Sequence, residues 1–426
     1  MRIIVLTLAA VASLAGAQTP IPADPEPRWW KGNLHTHTFW SDGDGFPEMV
    51  AEWYANNGYN FLALSDHNTL SQGDRWISIK AVDERSRGSA FPAYVDRFGE
   101  TWVETRGEGD ALEIRLKPFD EYRALVEERG RFVMFQAEEI TDRFENRPIH
   151  INATNVAGVI EPQHGESIED VIRRNLRAIE AHAAEHGREV LGHLNHPNFG
   201  YGVTAEDIVP VLQDRFFEVF NGHTSVHNAG DERHASTERI WDIVNTFRIA
   251  ELGAPPLYGL ATDDSHSYHG HSAVSIPGRG WVMVRARHLT PESIIRAMNA
   301  GDFYASTGVA LDEVAFDEST RTLTIRVAPS EGEAYVTRFV GTRRGAPLAG
   351  EPIDADGAPL PLTRRYSAEI GETLSEVRGT VAAYTLAGDE LYVRAIVESD
   401  APPERPTRES LRKQAWTQPV GWRSRP

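Results

Sequence analysis

The sequence predicts an α/β fold, a closed or distorted barrel followed by a small β-rich appendage, and three observations predict it. Short apolar runs alternate with amphipathic helical stretches from about Trp29 to Thr307, the rhythm of a mainly parallel sheet with helices outside. The runs are continuously apolar, as strands buried on both faces are, and too many for a small sheet. Most of them end in His, Asp, Glu or Asn, and barrel enzymes assemble their sites at C-terminal strand ends.

Taken in order, residues 1–17 read as a signal peptide. Arg2 gives a positive start, residues 3–14 are apolar but short for a membrane span, and Ala15-Gly16-Ala17 fits cleavage before Gln18. This places the mature protein in a bacterial periplasm or outside the cell. A proline-rich leader, residues 18–28, opens the main domain, taken as residues 18–309. Its apolar runs are 61–64, 132–135, 190–194, 216–220, 257–261 and 281–284; helical patterns cover 47–57, 169–186, 236–247 and 291–299. Pro47 and Pro291 suit a first helical turn, where a missing N–H leaves nothing unpaired. Residues 73–117 break the rhythm and read as an insertion, a candidate lid. Past Ala310 helical patterns nearly vanish. Residues 310–426 read as a β-sandwich-like domain whose tail, near 415–422, returns to the main domain.

Composition narrows the function. With 41% hydrophobic and 25% charged residues in 426, the chain is ordinarily globular. Its formal charge of -19 makes it a poor candidate for binding a nucleic-acid duplex, which needs a basic face, so none is expected as a partner. No later segment reads as a membrane span. There is no cysteine, which excludes disulfides, thiolate metal sites and cysteine nucleophiles. Any metal must be held by the carboxylates and the 16 histidines.

These residues cluster. His35 and His37, two apart on a strand, project to one face, and the Ser41-Asp42-Gly43 turn can bring Asp42 back to them. Ser65-Asp66-His67, Glu138-Glu139, His150, the run from His193 to His196, and Asp263-Asp264-Ser265-His266 come after, nearly all at apolar strand ends. Buried carboxylates are costly unless paired or metal-bound. Each piece alone has a structural explanation; together they predict a metal site.

In order and number these pieces resemble the motifs of the PHP (polymerase and histidinol phosphatase) family: His35-Thr36-His37, Ser41-Asp42-Gly43, Ser65-Asp66-His67, Glu139, His150, His196-Pro197 and Asp264-Ser265-His266. The resemblance covers most of residues 30–270. It implies a distorted (β/α)7 barrel and a site of about three divalent metals, Zn, Mn or Fe. One would take His35, His37, Glu139 and Asp264; a second Asp42, His67 and His266; a third Glu139, His150 and His196. Glu138 and Asp263 remain alternatives to Glu139 and Asp264, although Ile140 and the Asp-x-His spacing favour the latter. Residues 301–308 and Ala415-Trp416-Thr417 also resemble a secreted branch related to carbaryl-type hydrolases.

Such a site implies a metal-dependent hydrolase acting on a small phosphate mono- or diester, with a metal-bridging hydroxide as nucleophile. Ser41, Ser65 and Ser265 then read as turn or cap residues. Arg143, Arg147 and Arg279 are candidate phosphate contacts, because guanidinium binds phosphate bidentately. Asp66 is expected to orient a ligand histidine, and His193 to sit behind the ligands or in the pocket. A general acid is sought among His223, His227, His269 and His271. The alternatives are a carboxylic or carbamate ester hydrolase and a binding module stabilised by metals.

Overall fold

The computed structural model describes residues 24–353 and 363–423, so the expected signal peptide lies outside the described residues. Strand β1 (Arg28–Asn33) leads through the His-Thr-His segment to α1 (Pro47–Asn56) and the fully buried β2 (Phe61–Leu64). Pro47 opens α1 as anticipated. The insertion comes next as β3 (Arg75–Ser78), α2 (Ile79–Ser86), α3 (Ala90–Phe98), β4 (Thr105–Arg106) and β5 (Glu113–Leu116), before α4 (Phe119–Val126) returns. It has its own antiparallel sheet, in the order β3-β5-β4. Its apolar side, including Val82, Tyr94 and Ile114, packs on Phe39, Trp40 and Phe46. It therefore braces the loop that follows His37, where a lid was anticipated.

The chain continues through β6 (Val133–Phe144), β7 (Arg147–Thr154), α5 (Ile168–His186), β8 (Leu191–Leu194), α6 (Ala205–Ile208), β9 (Phe216–Asn221), α7 (Thr237–Ala250), β10 (Tyr258–Thr262), β11 (Trp281–Ala286), α8 (Pro291–Ala300) and β12 (Phe303–Ser306). Ser167, Ser236 and Thr290 cap α5, α7 and α8 with their side-chain oxygens. The inner faces of α5 and α7 bury Ile172, Leu176, Trp241 and Val244 against Ile151, Leu194 and Phe217 of the sheet.

Adjacent strands run β10-β9-β8-β7-β6-β2-β1 and continue through β11 and β12 into a 13-stranded sheet. In the first part, β1–β2, β2–β6, β8–β9 and β9–β10 are parallel. The two pairings of β7 are antiparallel. Only Glu145-Asn146 join β6 to β7, far too few residues for the crossover a parallel pair needs. The ladder stays open. Its ends meet only beyond the strands proper, where Thr36 and Ser265 form a parallel bridge. There the N–H groups of Asp264 and His37 donate to the carbonyls of His35 and Ser265 at 3.0 and 2.9 Å.

The C-terminal strands are β13 (Ala310–Asp317), β14 (Thr322–Ala328), β15 (Tyr335–Arg343), β16 (Glu372–Arg378), β17 (Val381–Thr385), β18 (Glu390–Ser399) and β19 (Gln414–Thr417). β13-β14-β17 form a separate antiparallel sheet, while β19 pairs with both β12 and β18 and so ties the other strands to the large sheet. The tail returns to the main domain: Gln418 bonds both backbone groups of Gly259 at 2.9 Å. Buried Arg394 grips Asp242 of α7 at 2.7 and 2.9 Å. No helix among the described residues is long and apolar enough to cross a membrane.

Candidate metal centre

Nine side chains converge where the chain leaves β1, β2, β8 and β10 and where β6 and β7 pass the same rim. Beyond β1, alternation turns His35 and His37 inward while Thr36 bonds outward to the Ala63 carbonyl at 2.7 Å. The imidazole Nε2 atoms of His35 and His37 lie 3.3 and 3.2 Å from Asp264 Oδ1, and Glu139 Oε1 lies 3.2 Å from His35 Nε2. The Ser41–Gly43 turn folds Asp42 back, and only glycine fits at its end: a Cβ on Gly43 would come within 2.7 Å of the His37 carbonyl. Asp42 Oδ1 thus reaches His266 Nε2 at 3.4 Å, His67 Nε2 at 3.6 Å and His37 Nδ1 at 3.7 Å. On the third side His150 Nδ1 and His196 Nε2 stand 3.0 and 3.4 Å from Glu139 Oε1. Glu139 sits in mid-strand on β6, where a strand end was anticipated, yet pairs level with His67.

Both adjacent carboxylates turn away. Glu138 accepts from the Ile160 N–H at 2.7 Å on the opposite face of β6. Asp263 accepts from the N–H groups of Gly278, Arg279 and Gly280 at 2.8, 2.6 and 2.9 Å and pins that loop. Asp264, which faces the cluster, holds a left-handed φ of 48°, a strained backbone of the kind that gathers at functional sites.

Electrostatics reflect this crowding. Burial opposes charge on the His35 ring, but Asp264, Glu218 and Glu139 together hold its pKa well above the usual imidazole range. Burial and the neighbouring His266 and His67 push His37 down to about 3. Burial also opposes ionisation of Glu139 and Asp264, but surrounding imidazoles hold both well below the carboxylate range. The residues fit a metal. His35 Nε2, His37 Nε2 and Glu139 Oε2 are buried and in no well-aligned hydrogen bond, although each lies 2.7–3.2 Å from a partner of opposite polarity, and atoms so placed demand an explanation. Among the described residues, ligand atoms of His37, Asp42, His67 and His266, of His35, His37 and Glu139, of His35, His196 and Asp264, and of His67, Glu139 and His150 each fall within 4.8 Å of one another. Nitrogen and oxygen donors suit Zn, Mn or Fe.

The other anticipated residues divide. Arg143 is exposed and, by alternation along β6, on the face that carries Glu139 and Thr141. Arg147 is corrected: it shares the opposite face of β7 with buried Ile149 and Ile151, and its guanidinium meets Glu145 at 3.6 Å. Arg279 is corrected too: it is buried and donates to the carbonyls of Gly222, Val274 and Ala273 at 2.8, 2.8 and 2.6 Å, tying two loops together. Asp66 accepts from Thr38 N, Thr38 Oγ1 and Ser41 Oγ at 2.8, 2.8 and 2.6 Å, so it shapes the loop and touches no ligand histidine. His193 is fully buried behind Glu218, 3.6 Å from it, out of reach of a substrate. Burial lowers the pKa of His269, with Asp44 opposing. His227 is exposed beside Glu409 and His271 beside Ser89.

Of the four acid candidates His223 is in ring contact with a clustered histidine, its ring 5.7 Å from that of His266. Its Nδ1 accepts from the Ser225 N–H at 3.1 Å, which leaves the ring proton on Nε2. Two further residues touch the clustered side chains and lie outside the matched motifs, Phe199 and Glu218, the latter one of the polar residues that end the apolar runs. Phe199 lines the mouth, with ring centroids 5.2 Å from His196 and 6.3 Å from both His150 and His223. Glu218 accepts from His35 Nδ1 at 2.7 Å; the one hint of it is a lone acid inside the apolar run Phe216–Asn221.

No family model and no curated protein matches this chain. Among solved structures it is similar to a two-domain protein of Bacteroides vulgatus containing a predicted PHP-like metal-dependent phosphoesterase. They are 13% identical, with 94% of this chain and 98% of that chain covered and a TM-score of 0.39. It is also similar to a Bifidobacterium adolescentis protein assigned as a metal-dependent phosphoesterase, at 13% identity, covering 59% of this chain and 94% of that one with a TM-score of 0.30. At this identity and these TM-scores the likenesses carry no argument; the chemistry of the clustered side chains is what speaks for a function.

Proposed function

We propose that this protein is an exported, metal-dependent phosphoesterase of the PHP type that hydrolyses a small phosphate ester. The observation that carries the reading is the convergence of buried imidazole nitrogens and carboxylate oxygens within 4.8 Å of one another. His35, His37, Glu139 and Asp264 would hold one metal, Asp42, His67 and His266 a second, and Glu139, His150 and His196 a third. Divalent cations bound there supply Lewis acidity toward phosphoryl oxygens and a water of lowered pKa.

The chain's own groups do the rest. Arg143 meets the anionic end of the substrate at the mouth. His223 presents its Nε2–H to the leaving oxygen. Asn195 Nδ2 donates to Glu139 Oε1 at 2.7 Å and fixes that carboxylate. Asp66 holds the loop that carries Asp42. The rim where Thr36 meets Ser265 supports reading the seven-strand run as a distorted barrel. A carboxylic or carbamate ester is the second reading; it draws on the loss of Arg147 and Arg279 as substrate contacts and on the apolar ring of Phe199 beside His196.

The test is elemental analysis of the mature protein together with hydrolysis of p-nitrophenyl phosphate, bis(p-nitrophenyl) phosphate and p-nitrophenyl acetate. About three metals per chain and chelator-sensitive phosphate-ester turnover are expected. Turnover of the acetate alone would replace the reading with the second one. A metal-free protein that stays inactive after reconstitution would end both.

A further inference from the structure

We infer that Phe199 determines specificity: its ring receives a planar apolar substituent of the substrate that does not react, so the preferred substrate is a phosphodiester carrying such a group. The inference rests on the phosphoesterase reading and adds which ester it is.

Phe199 is placed oddly for a structural phenylalanine. It is half-buried and belongs to none of the apolar clusters that pack the described residues. Its ring neighbours are the histidines His196, His150 and His223. Holding an aromatic ring in place without burying it orders the side chain for little hydrophobic return.

Yet the loop beneath it is firmly held. The Phe199 N–H donates to the His196 carbonyl at 2.8 Å, and Phe199 pairs with Val226 across the mouth. Asn198 Nδ2 donates to the carbonyls of His227 and Ala235 at 2.8 and 2.9 Å. Tyr201, at a left-handed φ of 51°, stacks 3.7 Å from the ring of His234. Gly202 lies so close to β7 that a Cβ would come within 2.8 Å of the Pro148 carbonyl. A rigid, half-exposed aromatic beside a polar centre is how binding sites present an apolar anchor.

Ester chemistry points the same way. A substituent that does not react must be carried by the phosphorus besides the leaving group, which a diester provides and a monoester does not. Arg147 and Arg279 are turned away or already bonded, Arg85 is held by the Ser41 and Gly43 carbonyls beside Asp42, and the ring of Phe199 is the apolar surface beside His196 and His150 that such a substituent would meet.

The experiment compares bis(p-nitrophenyl) phosphate with methyl p-nitrophenyl phosphate on metal-loaded protein. Both release p-nitrophenolate, so only the spectator group differs. The wild type is expected to favour the diaryl substrate in kcat/KM. Phe199→Ala should shrink that preference about tenfold and Phe199→Tyr should retain most of it. Metal content by elemental analysis should match the wild type in both variants. Equal loss on both substrates, or an unchanged ratio, would overturn the assignment while leaving the phosphoesterase reading standing. A metal-loaded wild type that turns over neither diester would overturn the assignment, and one that also leaves p-nitrophenyl phosphate intact would overturn the phosphoesterase reading with it.

Discussion

Glu218 offers the sharpest test of how the centre is built. It is fully buried, and each oxygen serves two donors. Oε1 accepts from His35 Nδ1 and Thr262 Oγ1, both at 2.7 Å. Oε2 accepts from the His196 N–H and Asn221 Nδ2, both at 2.8 Å. Glu218→Gln leaves only one oxygen, so one pair of donors must face an NH2 group. If that group faces His35, the ring proton moves to Nε2, the atom aimed at Glu139 and Asp264, and its lone pair is lost to a metal. If it faces the other pair, the end of β8 that carries His196 loses its anchor. Partners of this kind are worth roughly ten- to a hundredfold in metal affinity, or about 1.4–2.8 kcal/mol. The assay titrates metal-loaded wild type and variant with a competing chelator and measures retained metal, with melting of the stripped proteins as a folding control. If the same chelator concentration strips both while both remain folded, the proposed role of Glu218 is wrong.

The same contacts set other outcomes. Stripping the metals should lower Tm by several degrees, reversibly on adding Zn or Mn, because it strands buried polar atoms of His35, His37 and Glu139; an unchanged Tm in demonstrably metal-free protein would count against the site. Arg279→Ala should cost about 3 kcal/mol or more of stability through its lost carbonyl bonds, whereas Arg143→Ala should keep Tm and raise KM several-fold; the reverse pattern would return Arg279 to the substrate. Asp214, away from the centre, is pushed up to about 7 by burial, with Arg248 opposing. Its folded form holds a proton that the unfolded chain releases near pH 4, so stability falls as pH rises from about 4 to 7. Asp214→Asn should therefore gain Tm relative to wild type across that window, and parallel Tm curves would refute this.

The sequence exposed the parts of this molecule that rest on local pattern. Apolar runs marked β2, β8, β9, β10 and β11, and Pro47 and Pro291 marked helix starts, because burial and backbone geometry act residue by residue. Strand direction was less visible: a two-residue link between Phe144 and Arg147, not the apolar run itself, forces β6 and β7 antiparallel. Side-chain partners were hidden as well. Nothing local distinguishes Arg143, which faces the mouth, from Arg147, four residues on and across the sheet, or shows that Arg279 is taken up by three carbonyls. Asp66 stands beside His67 in the chain but bonds Thr38 and Ser41, since adjacent strand residues point to opposite sides. Phe199 carried no signal, because a lone phenylalanine after a His-Pro pair reads as packing.

One rim contact explains why the site and the closure of the sheet coincide. Thr36 bridges Ser265, and with alternating side chains the residues flanking each partner must point the other way. Those flanking residues are His35 and His37 on one strand extension and Asp264 and His266 on the other, so the bridge that draws the ends of the sheet together also presents four of the nine clustered side chains. Ser265 Oγ is itself held by Tyr54 and Tyr268 at 2.9 and 2.7 Å, and Tyr54 also donates to Asp263 at 2.7 Å. The left-handed turn at Asp264 is thereby fixed from behind by buried Tyr54 and half-buried Tyr268, while its carboxylate faces the histidines. Rigid placement of this kind is what a multinuclear centre requires, since a metal site tolerates little error in ligand position.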